Sequence, residues 1–459
     1  NPEYTLFRGV NPSWDNTARR RDTGAVFAGN TPSGYQRWLE NAIQDTQKRF
    51  DDESTRLVFI NAWNEWAEGA YLEPDVAYGY AYLQATRNAL ENSLSGQAQA
   101  IETGRKIILV SHDGLPHGAQ YLMLHMARCL TQYFAFHVDM VVLGDGILLD
   151  EFKKWATVHS LSGLDHDGPD ANALANSLIA SGHTAAICNT TVSGLFLKTM
   201  AQKGIRCISL VHELGNIISE YELNPHANAI AEFAENVVFA ARQVHEPFNR
   251  VAPLSEDKVV IRHQGNYKKN QFIGRREEAR SKLRKELNLP ENVRIVLGVG
   301  YADRRKGVDL FTEAALDLCA DNSLIYFVWV GHWEWNMQQQ VSELLEGQEC
   351  RDQVIFPGRQ EITDLYYAGS DVFVLTSRED PFPTTVLEAL EVGVPVIGFA
   401  GAGGSENLLK QGCGVLVPYE DVTELVNEIT NLLEDIPQAD SLGQKGAMLV
   451  QENFSFNQY

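Results

Sequence analysis

The sequence predicts an α/β fold in which two doubly wound parallel-sheet domains face each other across a cleft, with a smaller α/β segment ahead of them. Three observations predict it. A chain of 459 residues with 44% hydrophobic content exceeds what one core serves and divides into two or three domains. From about residue 105 onward, short β-branched runs alternate with longer helical patterns. Continuous apolar runs bounded by helices are what a parallel sheet buried on both faces requires. The alternation is interrupted near Gly265 by a charged stretch and then restarts, which divides the two domains.

Residues 1–96 form the front segment. An apolar strand read as buried, Leu57-Val58-Phe59-Ile60, runs into a loop bearing Trp63, Glu65, Trp66 and Glu68. Aromatic faces stack on sugars, and paired carboxylates perform acid/base work. Residues 97–104 are read as a linker, because the stretch around Gly96-Gln97-Ala98-Gln99 lacks apolar periodicity. The first domain, 105–263, is expected from strands at 107–110, 138–142, 185–188, 207–211 and 236–239, with a helix over 119–132. A charged helix over 275–287 opens the second domain, 264–459, whose strands are expected at 294–297, 325–330, 354–356, 372–375, 394–399 and 415–417. Open α/β sheets bind ligands at the carboxyl ends of their strands, so two such domains on a short hinge create a lined cleft.

A formal net charge of -22 argues against nucleic acid, whose recognition needs clustered Lys and Arg. It also limits membrane association to peripheral contact through a local basic patch. The six cysteines are scattered without a CxxC pair and read as reduced core residues of a cytosolic protein. No apolar run reaches the roughly 18 residues of a membrane span, and no signal peptide is visible. The expected location is the cytoplasm, including the inner face of the membrane. The chain opens at Asn1 inside a strand-like pattern and stops at Tyr459 soon after Phe454-Ser455-Phe456, so a piece of a longer polypeptide is expected.

Three strand-to-helix junctions of the second domain carry the chemistry. Ser377 to Leu390 passes from a strand through a Pro-rich turn into a helix. Asp380 and Glu388 then lie where carboxylates can accept hydrogen bonds from sugar hydroxyls, and Glu388 sits in an apolar run where an unpaired carboxylate would be costly. Gly298 to Gly307 is a glycine-bearing turn whose Arg305 and Lys306 bring positive charge to a helix N-terminus, suited to a diphosphate. As a bare glycine pattern it also fits NAD, but the acidic ribose partner of a GxGxxG unit is not evident. Gly403, Gly404 and Ser405 form a loop able to wrap a phosphate or sugar with backbone N–H groups. In the first domain His117-Gly118-Ala119 and His212 follow strands.

These motifs, in this order over residues 105–459, resemble the retaining glycosyltransferases of the GT4 family, whose signature is an acid, seven residues and a Glu. The resemblance implies the GT-B fold of two Rossmann-like domains. It also implies that Asp380, standing where the family usually has Glu, holds the donor sugar and that Glu388 holds the nucleotide ribose. By the same resemblance Lys306 and Arg305 neutralise the departing diphosphate, although the family's Arg position is Tyr301 here. The Gly403-Gly404-Ser405 loop would hold the sugar, Gly118 and Ala119 would approach donor phosphates or acceptor, and His212 would line the reaction centre. Residues 57–74 resemble the last strand and loop of glycoside hydrolase family 99 and WbsX-type domains, with 10–16 as the preceding strand-end loop. In the hydrolases two Glu at the spacing of Glu65 and Glu68 are catalytic. Only part of a (β/α)8 barrel is present, and an open quarter-barrel cannot enclose a site.

The resemblance leads to transfer of a sugar from a nucleotide diphosphate sugar to a glycan or lipid-linked glycan acceptor in bacterial surface polysaccharide synthesis, without cofactor or metal. Asp165-His166-Asp167, the metal-binding pattern of the other major glycosyltransferase fold, is read as a loop without a flanking strand. The alternatives are a nucleotide-sugar epimerase on the same fold, a polysaccharide-binding module and a hydrolase fragment.

Overall fold

The computed structural model describes residues 5–20, 23–27, 30–75, 78–94, 105–134, 136–213, 215–456 and 459. The expected linker, 97–104, lies outside them. In the front segment, strands β1 (Arg8–Val10) and β2 (Val58–Ile60) pair in parallel, and β3 (Asn64–Glu65) and β4 (Ala70–Tyr71) form a short antiparallel ladder. Helices Pro32–Arg49 and Ala81–Leu94 pack on them around Val10, Leu39, Leu72 and Tyr82. Thr31 caps the first of these helices by accepting from the Gly34 amide at 3.0 Å. The strand expected to be buried is half open: Leu57 is 47% and Phe59 60% exposed. A strand with one neighbour leaves its other edge and part of its faces uncovered.

The first large sheet has seven parallel strands: β5 (Lys106–Ser111), β6 (His137–Val142), β7 (Thr157–Ser160), β8 (Ala185–Asn189), β9 (Arg206–Val211), β10 (Asn236–Phe239) and β11 (Val259–Ile261), in the order β11-β10-β9-β8-β5-β6-β7. The second has six: β12 (Arg294–Val299), β13 (Ile325–Val330), β14 (Val354–Gly358), β15 (Val372–Leu375), β16 (Val396–Phe399) and β17 (Gly414–Val417), in the order β14-β13-β12-β15-β16-β17. Both are Rossmann-like. β7 and β11 were not expected; both are short edge strands, and the more exposed Thr157–Ser160 carries no continuous apolar run. β7 also gives Asp165-His166-Asp167 the flanking strand that the sequence reading denied it, although the three residues still lie in a loop.

Strand order reverses between β5 and β8 in one sheet and between β12 and β15 in the other, the two places where such folds leave a crevice. The second reversal is fixed at its far end by Asp371. Its carboxylate accepts from the Ile295 amide at 2.8 Å and from Arg284 at 2.9 Å and Arg294 at 3.1 Å, with Arg280 at 3.2 Å. The Asp371 amide returns a hydrogen bond to the Ile295 carbonyl at 2.8 Å. Both Asp371 and Arg284 are buried. Removing one partner of such a group strands buried charge, so Asp371→Ala is expected to lose ~3–5 kcal/mol of stability. Urea unfolding checks this; a loss below ~1 kcal/mol would show that the cluster relaxes into solvent.

Candidate functional site

Between the carboxyl edges of the two sheets lies a cleft of about 750 Å³. One wall comes from loops after β5, β8 and β9: His112, His117, Gly118, Ala119, Gln120, Thr190, His212 and Glu213. The other comes from loops after β12, β13, β14 and β15: Tyr301, Arg305, Lys306, His332, Arg359 and 380–385.

On the second wall the β12 and β15 loops are joined by hydrogen bonds to backbone carbonyls. The Arg378 amide donates to the Arg305 carbonyl at 2.8 Å, the Thr376 hydroxyl donates to the Lys306 carbonyl at 3.1 Å, and Arg305 donates to the Glu379 carbonyl at 3.0 Å. Gly307, at φ 73°, caps helix Val308–Cys319; a Cβ there would lie 2.0 Å from the Thr376 carbonyl oxygen, so the close approach admits only glycine. The result delivers the Lys306 ammonium against the buried Asp380 carboxylate, where the two form an ion pair.

The structure sorts the expected residues. Asp380, Lys306, Arg305, His212, Gly118 and Ala119 all line the cleft. Gly403, Gly404 and Ser405 do not: the loop lies behind Asp380, whose amide donates to the Ala402 carbonyl at 2.8 Å and whose carbonyl accepts from the Gly404 amide at 3.1 Å. At Gly403, φ 143°, a Cβ would lie 1.8 Å from that carbonyl oxygen, so these glycines serve the seating of Asp380. Glu388 also lies outside the lining. It shares a face of helix Thr384–Glu391 with the cleft residue Thr384, one turn further on, beside Tyr367 and Lys268. Burial pushes its carboxyl up to about 7, against the pull of Lys268 and the Tyr367 hydroxyl. Asp165 and Asp167 are not part of the cleft lining either.

His112, Gln120, Thr190, His332 and Arg359 were missed. His112, Thr190, His332 and Arg359 follow a strand by one or two residues, the position rule that singled out His212, and applying it to every strand would have found them. Burial holds His112 and His212 below the usual imidazole range. The Asn189 amide nitrogen donates to the Ala119 carbonyl at 2.8 Å, which turns its oxygen toward His212 Nε2 at 2.9 Å. The His212 proton therefore sits on Nε2.

In the front segment Arg19 bridges both carboxylates, 3.1 Å from Glu65 and 3.0 Å from Glu68. Trp63 and Trp66 are about half exposed, and Trp66 stacks on Tyr71 at 3.9 Å.

Comparison with known proteins places this geometry. Residues 279–448 match the family of glycosyl transferases group 1. Residues 1–86 match the family glycosyltransferase WbsX. The chain thus joins a WbsX-type segment to a group 1 transferase unit of GT-B fold. The front segment is 51% identical over 88 residues to protein WxcX of Xanthomonas campestris, covering 19% of this chain and 12% of WxcX. The transferase unit is 24% identical over 262 residues to the N-acetyl-alpha-D-glucosaminyl L-malate synthase of Bacillus anthracis, covering 56% of this chain and 66% of that enzyme. The chain therefore spans about an eighth of WxcX and just under two thirds of the synthase. Among solved structures, Anabaena Alr3699/HepE, in complex with UDP and glucose, superposes with a TM-score of 0.65 at 17% identity, over 77% of this chain and 96% of HepE. Among the described residues no helix is long and apolar enough to cross a membrane.

Glu388 gives a pH test. Its folded-state value of about 7 lies above the ordinary 4.5, so the folded chain holds the proton more tightly than the unfolded one. The stability this contributes is complete below pH 4.5 and is lost as pH rises through 7. Glu388→Gln, which cannot ionise, should gain on the wild type by on the order of 3 kcal/mol between pH 4.5 and pH 8. Denaturant titrations at both pH values measure this, and a pH-independent difference would sink the assignment.

Proposed function

We propose that the chain binds a nucleotide diphosphate sugar in this cleft and transfers the sugar, with retention of configuration, to a glycan or lipid-linked glycan acceptor. The observation that carries the reading is the Lys306–Asp380 pair with Arg305 beside it, seated on joined loops at the head of a helix. A diphosphate is recognised by cations and free backbone N–H groups, a sugar by a carboxylate. Lys306 and Arg305 stabilise charge building on the departing diphosphate, and Asp380 accepts from sugar hydroxyls. When the diphosphate arrives it competes with Asp380 for the ammonium, which releases carboxylate oxygens to the sugar. Glu388 holds the ribose in this reading. Lys306 and Arg305 supply the charge neutralisation, so no metal is required. The complex of HepE with UDP and glucose supports this ligand class.

The setting proposed is bacterial surface polysaccharide synthesis on the cytoplasmic side of the membrane, with at most peripheral membrane contact. Its support is the covalent union of a group 1 transferase unit with a WbsX-type segment.

Calorimetric titration of the chain with UDP, GDP and dTDP and their sugar conjugates, first in EDTA and then with Mg²⁺, tests the reading. Saturable binding of one nucleotide class in EDTA is expected. Lys306→Ala should weaken it by ~10–100-fold, the value of one hydrogen bond to a charged group. A folded wild-type chain that binds none of these ligands overturns the proposal, and binding only with Mg²⁺ overturns its metal-free part.

A further inference from the structure

Thr190, at the carboxyl end of β8, has φ 69° and ψ 158°. That region is essentially reserved for glycine, and a β-branched residue persists there only when its surroundings impose it. They do so here. The Thr190 amide donates to the Leu210 carbonyl at 2.8 Å, and its carbonyl accepts from the Ser193 hydroxyl at 2.7 Å. On the next residue, the Thr191 amide donates to both carboxylate oxygens of Glu213 at 3.0 Å, and its hydroxyl donates to Oε2 at 2.9 Å. The same Oε2 accepts from the His212 amide at 3.2 Å. One carboxylate therefore grips the ends of the adjacent strands β8 and β9, just where they deliver Thr190 and His212 to the cleft.

The protons on this wall can be placed. Gln120 faces the Asp113 carboxylate with its amide nitrogen, since a carboxylate only accepts. That nitrogen lies 2.9 Å from His112 Nε2; the Asp113 Oδ2 is farther, at 3.5 Å, and an amide nitrogen can only donate, so Nε2 is then an acceptor. His112 Nδ1–H accordingly donates to the Thr190 hydroxyl oxygen at 3.1 Å. The Thr190 proton is left to donate into the cleft. On His212, Nε2–H is taken by Asn189 and Nδ1 is left as an acceptor.

We propose that Glu213 is a positioning residue that holds Thr190 and His212 as a donor–acceptor pair for a hydroxyl-bearing acceptor substrate, across the cleft from Lys306 and Asp380. The inference rests on the sugar-transfer reading and names the acceptor side of that site.

The test compares wild type, Glu213→Ala and Glu213→Gln as full chains. Imidazole nitrogens are followed by ¹⁵N NMR, with the His212 signals identified by their loss in His212→Gln. Wild type should show the Nε2–H tautomer; Glu213→Ala should show averaged tautomers. If Glu213→Ala does not fold, Glu213→Gln, which keeps one oxygen for Thr191 but not the two-oxygen grip, carries the same readout. In transfer assays kcat should fall ~100-fold, the cost of a misplaced reacting group, while nucleotide affinity and the donor KM stay unchanged. An unaltered His212 tautomer in both variants overturns the proposal, as does a parallel loss of nucleotide affinity. A wild type that binds no nucleotide sugar instead refutes the donor reading, and the tautomer readout still decides the clamp.

Discussion

The anchoring of β12 to β15 through Asp371 is the constraint on which the site depends. These strands are 77 residues apart at Arg294 and Asp371, yet their far ends must deliver Lys306 and Asp380 to hydrogen-bonding distance. A slip of one residue would turn every side chain of a strand to the opposite face. The reciprocal bonds between Asp371 and Ile295, reinforced by Arg284, Arg280 and Arg294, set that register from the end away from the cleft. Charge sufficient to bury the Asp371 carboxylate thus stays remote from the chemistry. The close-packed glycines Gly307 and Gly403 then convert register into the position of two side chains.

The chain is strongly acidic as a whole, at -22, whereas one wall of its cleft gathers Arg305, Lys306 and Arg359. A local excess of positive charge in a recess with low-dielectric walls draws in anions that the remaining surface repels. The opposite wall carries one carboxylate, Glu213, whose oxygens are engaged by Thr191 and the His212 amide, and otherwise presents two imidazoles kept uncharged by burial together with a threonine and a glutamine. The two walls differ as binding partners of an anion and of a neutral hydroxyl would require.

Much of this was legible in the chain. Buried parallel strands read as apolar runs, so the two sheets could be located, and strand-to-helix turns marked Lys306, Asp380 and His212 as cleft residues. Edge strands escaped because Thr157–Ser160 and Val259–Ile261 are short. Exposure of Phe59 escaped because an apolar strand looks the same whether or not neighbours cover it. Gly403 and Gly404 were legible as a glycine-rich turn, but their close backbone approach to Asp380 and Pro381 was not. Glu65 and Glu68 were legible as neighbouring acids, whereas Arg19, far from them in the chain, was not legible as the group that bridges them.

The sequence by itself determined the α/β class, the two-sheet organisation and the strand ends that carry chemistry, because burial on both faces and turn geometry leave periodic, local marks. Only the tertiary structure decided which strand ends meet. It set Glu388 one turn beyond the cleft residue Thr384, joined Glu213 to Thr191, and brought His112 and His212 to the partners from which their tautomers follow. Those facts depend on hydrogen bonds between residues far apart in the chain, whose partners are chosen by packing and leave no pattern in the order of amino acids.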